Sequence, residues 1–547
     1  MTDRWIMRAL RGEIRWVTVG LHLTVILGLL GSMVVAWFAR DYFNRGVASG
    51  PDLEPIPYTD VNPMGVNTFL NEEADPENVE RSLDMIAEAG FGYIRQIFGW
   101  YEIEPEQDVY INVWGESTWA KYDRIVDLAV ERDIEIIARL EKPPAWARAG
   151  QERADQFPDG PPNDIEDWTN FIEQVVTRYK GRVSHYQIWN EPNLEGEWGG
   201  YPIDPAGYVD LLKAAYTTVK AIDPDAVVLL AGLAPTDQRG PVNLNEFLFL
   251  QGVYDAGGAD YFDIATVMVY GYGYSPNDRR VEFERNNFSR PIQTREVMER
   301  NNDAGKPIWA VEYGWVSLPE DWAGNPSPWG RPVTPEQQAE YLLEGYLRAQ
   351  REWPWMGVMA VWGFRWVRPP DHEHEQANPT RGFALVEHDF TPRPAYLALQ
   401  QAANRIQLRH TGAYTLTEAE LELLNNGVSL PLAFSGERLD LVVEGGNGGQ
   451  LRVTLDGHEQ EPVTIPAGES SRLTVVEGLP DRPHQVVVQI QSEPSSTPPE
   501  GSMIIISREP VHSWIYPWIF AGLALALLAV CASFGWGLLR EQRRKRV

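Results

Sequence analysis

Two glutamates close apolar, β-branched runs of the chain. One lies in HYQIWNEPN from 185, as Trp189-Asn190-Glu191-Pro192-Asn193, and the other in PIWAVEYG from 307, as Val311-Glu312-Tyr313-Gly314. Two carboxyl groups flanking a sugar can hydrolyse an acetal. One gives a proton to the leaving oxygen, and when the anomeric configuration is kept the other attacks from about 5–5.5 Å away. For residues 191 and 312 to meet in that way, the elements carrying them must end at one common mouth.

The surrounding pattern supplies such elements. Strand-like runs start at 64 (MGVNTFL), 93 (YIRQIF), 134 (IEIIARL), 185 (HYQIWN), 226 (AVVLLAG), 262 (FDIATVMVY), 307 (PIWAVEYG) and 357 (GVMAVWGF). Amphipathic helical stretches lie between them. Asp75-Pro76 opens one that stops at Gly90, Asn163 one that ends before Gly181, Thr334-Pro335-Glu336 another, and Pro394 to Ile406 a last one. Alternating βα units predict an α/β fold, a (β/α)8 TIM barrel over residues 60–408. A doubly wound open sheet predicts a glycine-rich first turn, and NTFLNEEADPENVE after the first strand has no glycine. In a barrel, chemistry belongs at the C-terminal strand ends, where both glutamates fall. Beyond 410 the texture changes to short alternating strands, predicting a β-sandwich, jelly-roll-like, over residues 411–510. It is read either as a carbohydrate-binding module or as a packing and spacer domain.

On these residues the sequence resembles the clan A glycoside hydrolases, retaining (β/α)8 enzymes that include cellulases, mannanases and β-xylosidases. Asn190-Glu191-Pro192 matches the clan's motif at the end of the fourth strand, which implies Glu191 as general acid/base. Glu312, ending the seventh, is the implied nucleophile. The resemblance further implies that Arg95, on the second strand, keeps Glu312 ionised through its fixed charge. Asn190 would bond the sugar 2-OH, Tyr270 would donate to the nucleophile, and Trp362 on the eighth strand would form the stacking platform. PPAWAR at 143–148 and GFALVEHDFTPRPAYLAL at 382–399 look like segments of cellulase-like and family 39 glycosidases. One position departs: many members carry a histidine two residues before that tyrosine, where this chain has Met268.

Other residues have plainer readings. Glu102, Glu104 and Glu141 follow strands but are read as solvated loop carboxylates of an acidic chain. Trp362 and Trp366 could both be core, and only one need face the cleft. Trp100, Trp146, Trp198, Trp315, Trp322 and Trp329 suggest stacking along several subsites, and Glu195 to Tyr201 a loop shaping the cleft. His372, Glu373, His374 and Glu375 sit in a Pro-rich stretch without Cys or a helical HExxH, so no metal and no cofactor is expected.

Composition bounds the partners. A net charge of −30 and a pI near 4.7 exclude nucleic acid as a leading partner. The lone Cys531 can form neither an intrachain disulfide nor a cysteine metal cluster. Two uncharged runs, 16–39 and 514–539, are each long enough to cross a bilayer. Arg4, Arg8, Arg11 and Arg15 precede the first, and Arg540, Arg543, Arg544, Lys545 and Arg546 follow the second. The positive-inside rule then puts both tails, 1–15 and 540–547, in the cytoplasm. The linker 40–59, the barrel and the sandwich would lie outside the cell membrane. The alternative for the first run is a cleaved signal peptide. The expected function is a membrane-anchored retaining glycosidase acting on an extracellular or envelope polysaccharide. A transglycosylase and a catalytically silent carbohydrate-binding or scaffold protein are the alternatives.

Overall fold

The computed structural model describes residues 2–372, 375–443, 447–468, 470–491 and 501–545. The chain divides into two compact units, Ala48–Arg508 and the paired terminal segments Met1–Val47 and Glu509–Val547.

In the larger unit, eight parallel strands form the barrel: β1 Met64–Thr68, β2 Tyr93–Gly99, β3 Glu135–Glu141, β4 His185–Ile188, β5 Val227–Leu229, β6 Ala265–Tyr270, β7 Ile308–Gly314 and β8 Met356–Val361. Neighbours run β5-β4-β3-β2-β1-β8-β7-β6, and the ring closes between β5 and β6 through a parallel bridge from Leu229 to Ile264. The strands are buried along almost their whole length, as expected for a sheet covered on both faces. Alternate side chains split into two cores. One set, with Ile137, Val227, Leu229, Ile264, Trp309 and Val311, fills the barrel interior. The other packs outward against the helices.

Helix punctuation follows the sequence with one shift. Asp75 caps the helix Pro76–Glu88, accepting from the Glu77 amide at 3.0 Å, and Thr334 with Gln337 forms a capping box for Pro335–Glu352. The third expected start moves by one residue: Asp164 caps Ile165–Tyr179, while the Asn163 side chain donates to the Ala149 carbonyl at 2.9 Å. The final helix is Pro394–Ile406.

Past the barrel, two antiparallel sheets face one another. One contains Leu430–Gly436, Arg482–Gln491, Asn447–Leu455 and His458–Glu459, with Val463–Ala467 beside the third; the other contains Ser471–Val476, Arg438–Val443, Met503–Ser507 and Gly412–Thr415. Their inner faces share an aliphatic core including Leu441, Leu451, Val453, Val486, Val488 and Ile504.

The smaller unit consists of the helices Thr2–Asn44 and Tyr516–Lys545. Their stretches Val17–Asn44 and Tyr516–Gly537 are long and apolar enough to cross a membrane, each with mean hydropathy 2.1. They touch through His22 Nε2 and Ser533 Oγ at 3.4 Å, and Asn44 donates to the Val511 carbonyl at 3.2 Å.

Candidate active site

The barrel mouth is organised by Arg95 on β2, only 2% exposed. Its Nε donates to Gln187 on β4 at 2.7 Å, its Nη1 to Asn67 on β1 at 2.9 Å and to Glu312 Oε1 on β7 at 2.8 Å, and its Nη2 to Asn190 at 2.7 Å. One guanidinium thus ties together side chains from β1, β4, β7 and the turn after β4. Its planar fork of donors permits that where a lysine would not. The second oxygen of Glu312 accepts from the Tyr270 hydroxyl on β6. Burial pushes that phenol well above its usual range, and the Glu312 charge pushes it further, so Tyr270 stays a donor.

Glu191 has the opposite environment. Burial is the first cause that drives its carboxyl well above the ordinary carboxylate range; the charges of Glu312 and then Glu197 add to it, and Arg139 and Arg95 oppose it. That environment favours its neutral, protonated form. Its backbone is left-handed at φ 44°, as is that of Trp189 at φ 74°, an uncommon conformation outside glycine that clusters where function fixes the chain. Lys142 after β3 (φ 61°) and Tyr272 after β6 (φ 50°) share it. The turn after β4 is pinned by Asn193, which donates to the Ala234 and Leu244 carbonyls and accepts from the Ala234 amide, each at 2.9 Å.

Five of the six expected side chains, Glu191, Glu312, Arg95, Asn190 and Tyr270, therefore join one electrostatic group. Trp362 sits one residue past β8, its ring edge-on to Phe69 at 5.5 Å and to Trp366 at 6.2 Å. Its indole nitrogen is buried without a hydrogen-bond partner among the described residues. Trp366 instead stacks on Phe69 and donates to the Thr380 carbonyl at 3.1 Å. Met268 is interior, 3% exposed.

Several plainer readings are corrected. Glu104 is buried and accepts from the Trp100 indole at 2.7 Å and the Asp108 amide at 2.8 Å. Glu102 accepts from Tyr122, Lys121 and Asn71, and Glu141 is buried against Arg139. None is a free solvated carboxylate. Of the tryptophans read as subsites, Trp100, Trp198 and Trp315 are core, Trp146 packs edge-on to Trp100, and Trp322 bonds within its own loop. Trp329 does adjoin the site, with ring contacts to Tyr270 and Phe383. Glu373 and His374 lie outside the described residues; their neighbour Glu375 accepts from Asn378 at 3.2 Å.

Sequence reading missed Asn67 and Gln187. Their signal is a polar residue at an inward position of an apolar strand, VNT in β1 and YQI in β4, and it becomes decisive only when Arg95 is seen to need both. A cleft of about 780 Å³ opens beside this group over the ends of β1, β2 and β3, lined by Phe69, Asn71, Ile97, Tyr101, Arg139 and Lys142 among others.

Residues 56–316 match the family model described as Cellulase (glycosyl hydrolase family 5). The chain is a glycoside hydrolase of the clan A type. Its fold is similar to a family 39 glycoside hydrolase from the gut symbiont Bacteroides cellulosilyticus WH2, with 22% identity, 80% of this chain and 83% of that chain covered, and a TM-score of 0.50. Two others are a monomeric β-xylosidase from Caulobacter crescentus CB15, 16% identical over 82% of this chain and 98% of that one at a TM-score of 0.44, and the GH39 enzyme from Xanthomonas axonopodis pv. citri, 15% identical over 81% and 96% at 0.45.

Proposed function

We propose that this protein is a retaining β-glycosidase, anchored in the cell membrane at both ends, that cleaves an extracytoplasmic oligo- or polysaccharide by double displacement. The observation that carries the reading is the contrast between two carboxyls at one mouth. Glu312 is held by Arg95 and Tyr270, while Glu191 is driven toward its neutral form. Environments that push paired carboxyls apart assign the acid and the nucleophile. Glu312 attacks the anomeric carbon as Glu191 protonates the departing oxygen. Glu191, now a base, then takes a proton from the water that releases the glycosyl-enzyme. Asn190, oriented by Arg95, bonds the sugar beside the reacting carbon, and Trp362 offers a ring face.

The domains divide as tail 1–15, span 16–39, linker 40–59, catalytic barrel 60–408, sandwich 411–510, span 514–539 and tail 540–547. The sandwich serves as a spacer. The aromatic rings of residues 411–510 are Tyr414, half-buried with its hydroxyl donating to the His410 carbonyl at 3.0 Å, and Phe434, which is buried, which leaves the sandwich without an exposed aromatic ring to stack on a sugar. The test is the anomeric configuration of the first-formed product, followed by NMR on an aryl β-glycoside or β-linked oligosaccharide. Retention is expected, and an inverted product would sink the nucleophile assignment.

A further inference from the structure

The double displacement uses the Tyr270 hydroxyl, and a hydroxyl is only as well placed as the ring that carries it. Three aromatic rings from different parts of the chain meet at this point. They belong to Tyr270 at the end of β6, Trp329 in the loop after β7, and Phe383 in the single turn Pro379–Phe383 after β8. Ring centroids lie 5.9 Å apart for Tyr270 and Trp329, 5.4 Å for Tyr270 and Phe383, and 5.1 Å for Trp329 and Phe383. The planes meet at 48°, 57° and 89°, the tilted and edge-on arrangements that aromatic pairs prefer. Phe383 is buried and set close to β7: a Cβ at Gly314, two residues after Glu312, would stand 3.0 Å from its ring. Trp329 is half-buried and reaches the other two rings from a loop.

That loop, residues 315–334, is fastened at two places. Its base closes where the Val333 amide donates to the Val316 carbonyl at 2.9 Å. Farther out it runs backbone to backbone against the loop after β6. A Cβ at Gly330 (φ 75°) would stand 2.7 Å from the Tyr272 carbonyl oxygen, and one at Gly273 (φ 77°) would stand 2.5 Å from the Arg331 carbonyl oxygen. Glycine meets both demands of this seam, the left-handed backbone and the close approach. Trp329 precedes Gly330 directly, so the seam sets its ring against Tyr270. The Tyr270 hydroxyl donates to Glu312, and a displacement of about 1 Å in a reacting group costs on the order of a hundredfold in rate. We infer that Trp329 is a positioning residue: its ring holds Tyr270 in the orientation that donates to Glu312, so the loop after β7 carries part of the catalytic geometry. The inference rests on the glycosidase reading above and adds a residue to it.

The experiment uses the full-length protein in detergent and aryl β-glycosides of glucose, mannose, galactose and xylose, with the variants compared on whichever the wild type turns over best. Trp329→Ala should lower kcat and kcat/KM by the same factor, about 10- to 100-fold, with KM within about twofold, the pattern of an interaction realised in the transition state. Trp329→Phe keeps a ring against Tyr270 and should stay within about threefold of the wild type. In a Tyr270→Phe background, Trp329→Ala should cost less than about twofold more, because a residue that acts through the Tyr270 hydroxyl then has nothing left to hold. A raised KM at unchanged kcat would make Trp329 a substrate contact instead. A full additional loss in the double variant would make its role independent of Tyr270, and a Tyr270→Phe variant as active as the wild type would leave no hydroxyl for it to serve. Each of these overturns the inference and leaves the glycosidase reading standing. A wild type inert on every glycoside would overturn that reading, and the inference with it. If Trp329→Ala does not fold, Trp329→Leu carries the same cycle, because it keeps apolar bulk and loses the ring.

Discussion

At the scale of single residues, the two glutamates differ in what surrounds them more than in where they stand. Glu312→Ala should abolish turnover on every substrate, while Glu191→Ala should still be glycosylated by substrates with very acidic leaving groups, which need no proton. Azide should rescue Glu191→Ala with a β-glycosyl azide and Glu312→Ala with an α-glycosyl azide; the opposite pairing would mean that the roles are reversed. Tyr270→Phe removes one of the two groups that hold Glu312 and should lower kcat roughly 10- to 100-fold, consistent with a lost hydrogen bond to a charge. Glu197 adds a pH effect. Burial first, then Glu141 and Asp159, push its carboxyl up to about 8. Between the ordinary carboxylate range and that value, the folded chain binds more protons than the unfolded one, so stability falls as pH rises through the window. Thermal midpoints measured from pH 5 to 9 should fall less steeply in Glu197→Gln than in the wild type. Identical slopes would show that Glu197 is not the group responsible.

At the scale of elements, the site depends on how closely a helix approaches β7. A Cβ at Gly345, on the helix Pro335–Glu352, would stand 2.0 Å from the Tyr313 hydroxyl. That hydroxyl donates to the Leu342 carbonyl at 2.6 Å, and its residue follows Glu312 directly. Gly345→Ala must therefore displace Tyr313 or push the helix off the strand, and overpacking of this kind costs about 1–3 kcal/mol. Urea unfolding should register that loss together with a fall in kcat, because moving Tyr313 moves Glu312, the proposed nucleophile. Unchanged stability would mean that the helix gives way freely.

At the scale of the whole molecule, the catalytic unit Ala48–Arg508 contains both carboxyls, the cleft and both sheets of the sandwich. A chain restricted to residues 48–508 should stay in the supernatant on high-speed centrifugation and keep kcat and KM on a small aryl glycoside within about twofold, since its core is its own. In intact spheroplasts, added protease should digest the barrel of the full-length chain while sparing the basic tails. A protected barrel would refute the extracytoplasmic placement.

The sequence by itself determined the repeating plan and the placing of Glu191 and Glu312 at strand ends of one barrel. β-branched runs alternating with capped helices have few stable solutions, and a glutamate at the end of the fourth and the seventh strands lands at one mouth in a closed barrel. Arg95 and Tyr270 were legible for the same reason, since each occupies a fixed strand position. Tertiary structure decided everything that depends on inward packing across distant strands. Asn67 and Gln187 look like ordinary polar residues until Arg95 is found bonding both. Glu104 and Glu141 read as surface carboxylates because exposure is not written in a single residue type, yet the fold buries them. Trp100, Trp198 and Trp315, half of the tryptophans read as platforms, are core for the same reason. The left-handed turns at Trp189 and Glu191 carry no glycine to announce them, because a backbone strain held by surrounding contacts exists only once those contacts are made.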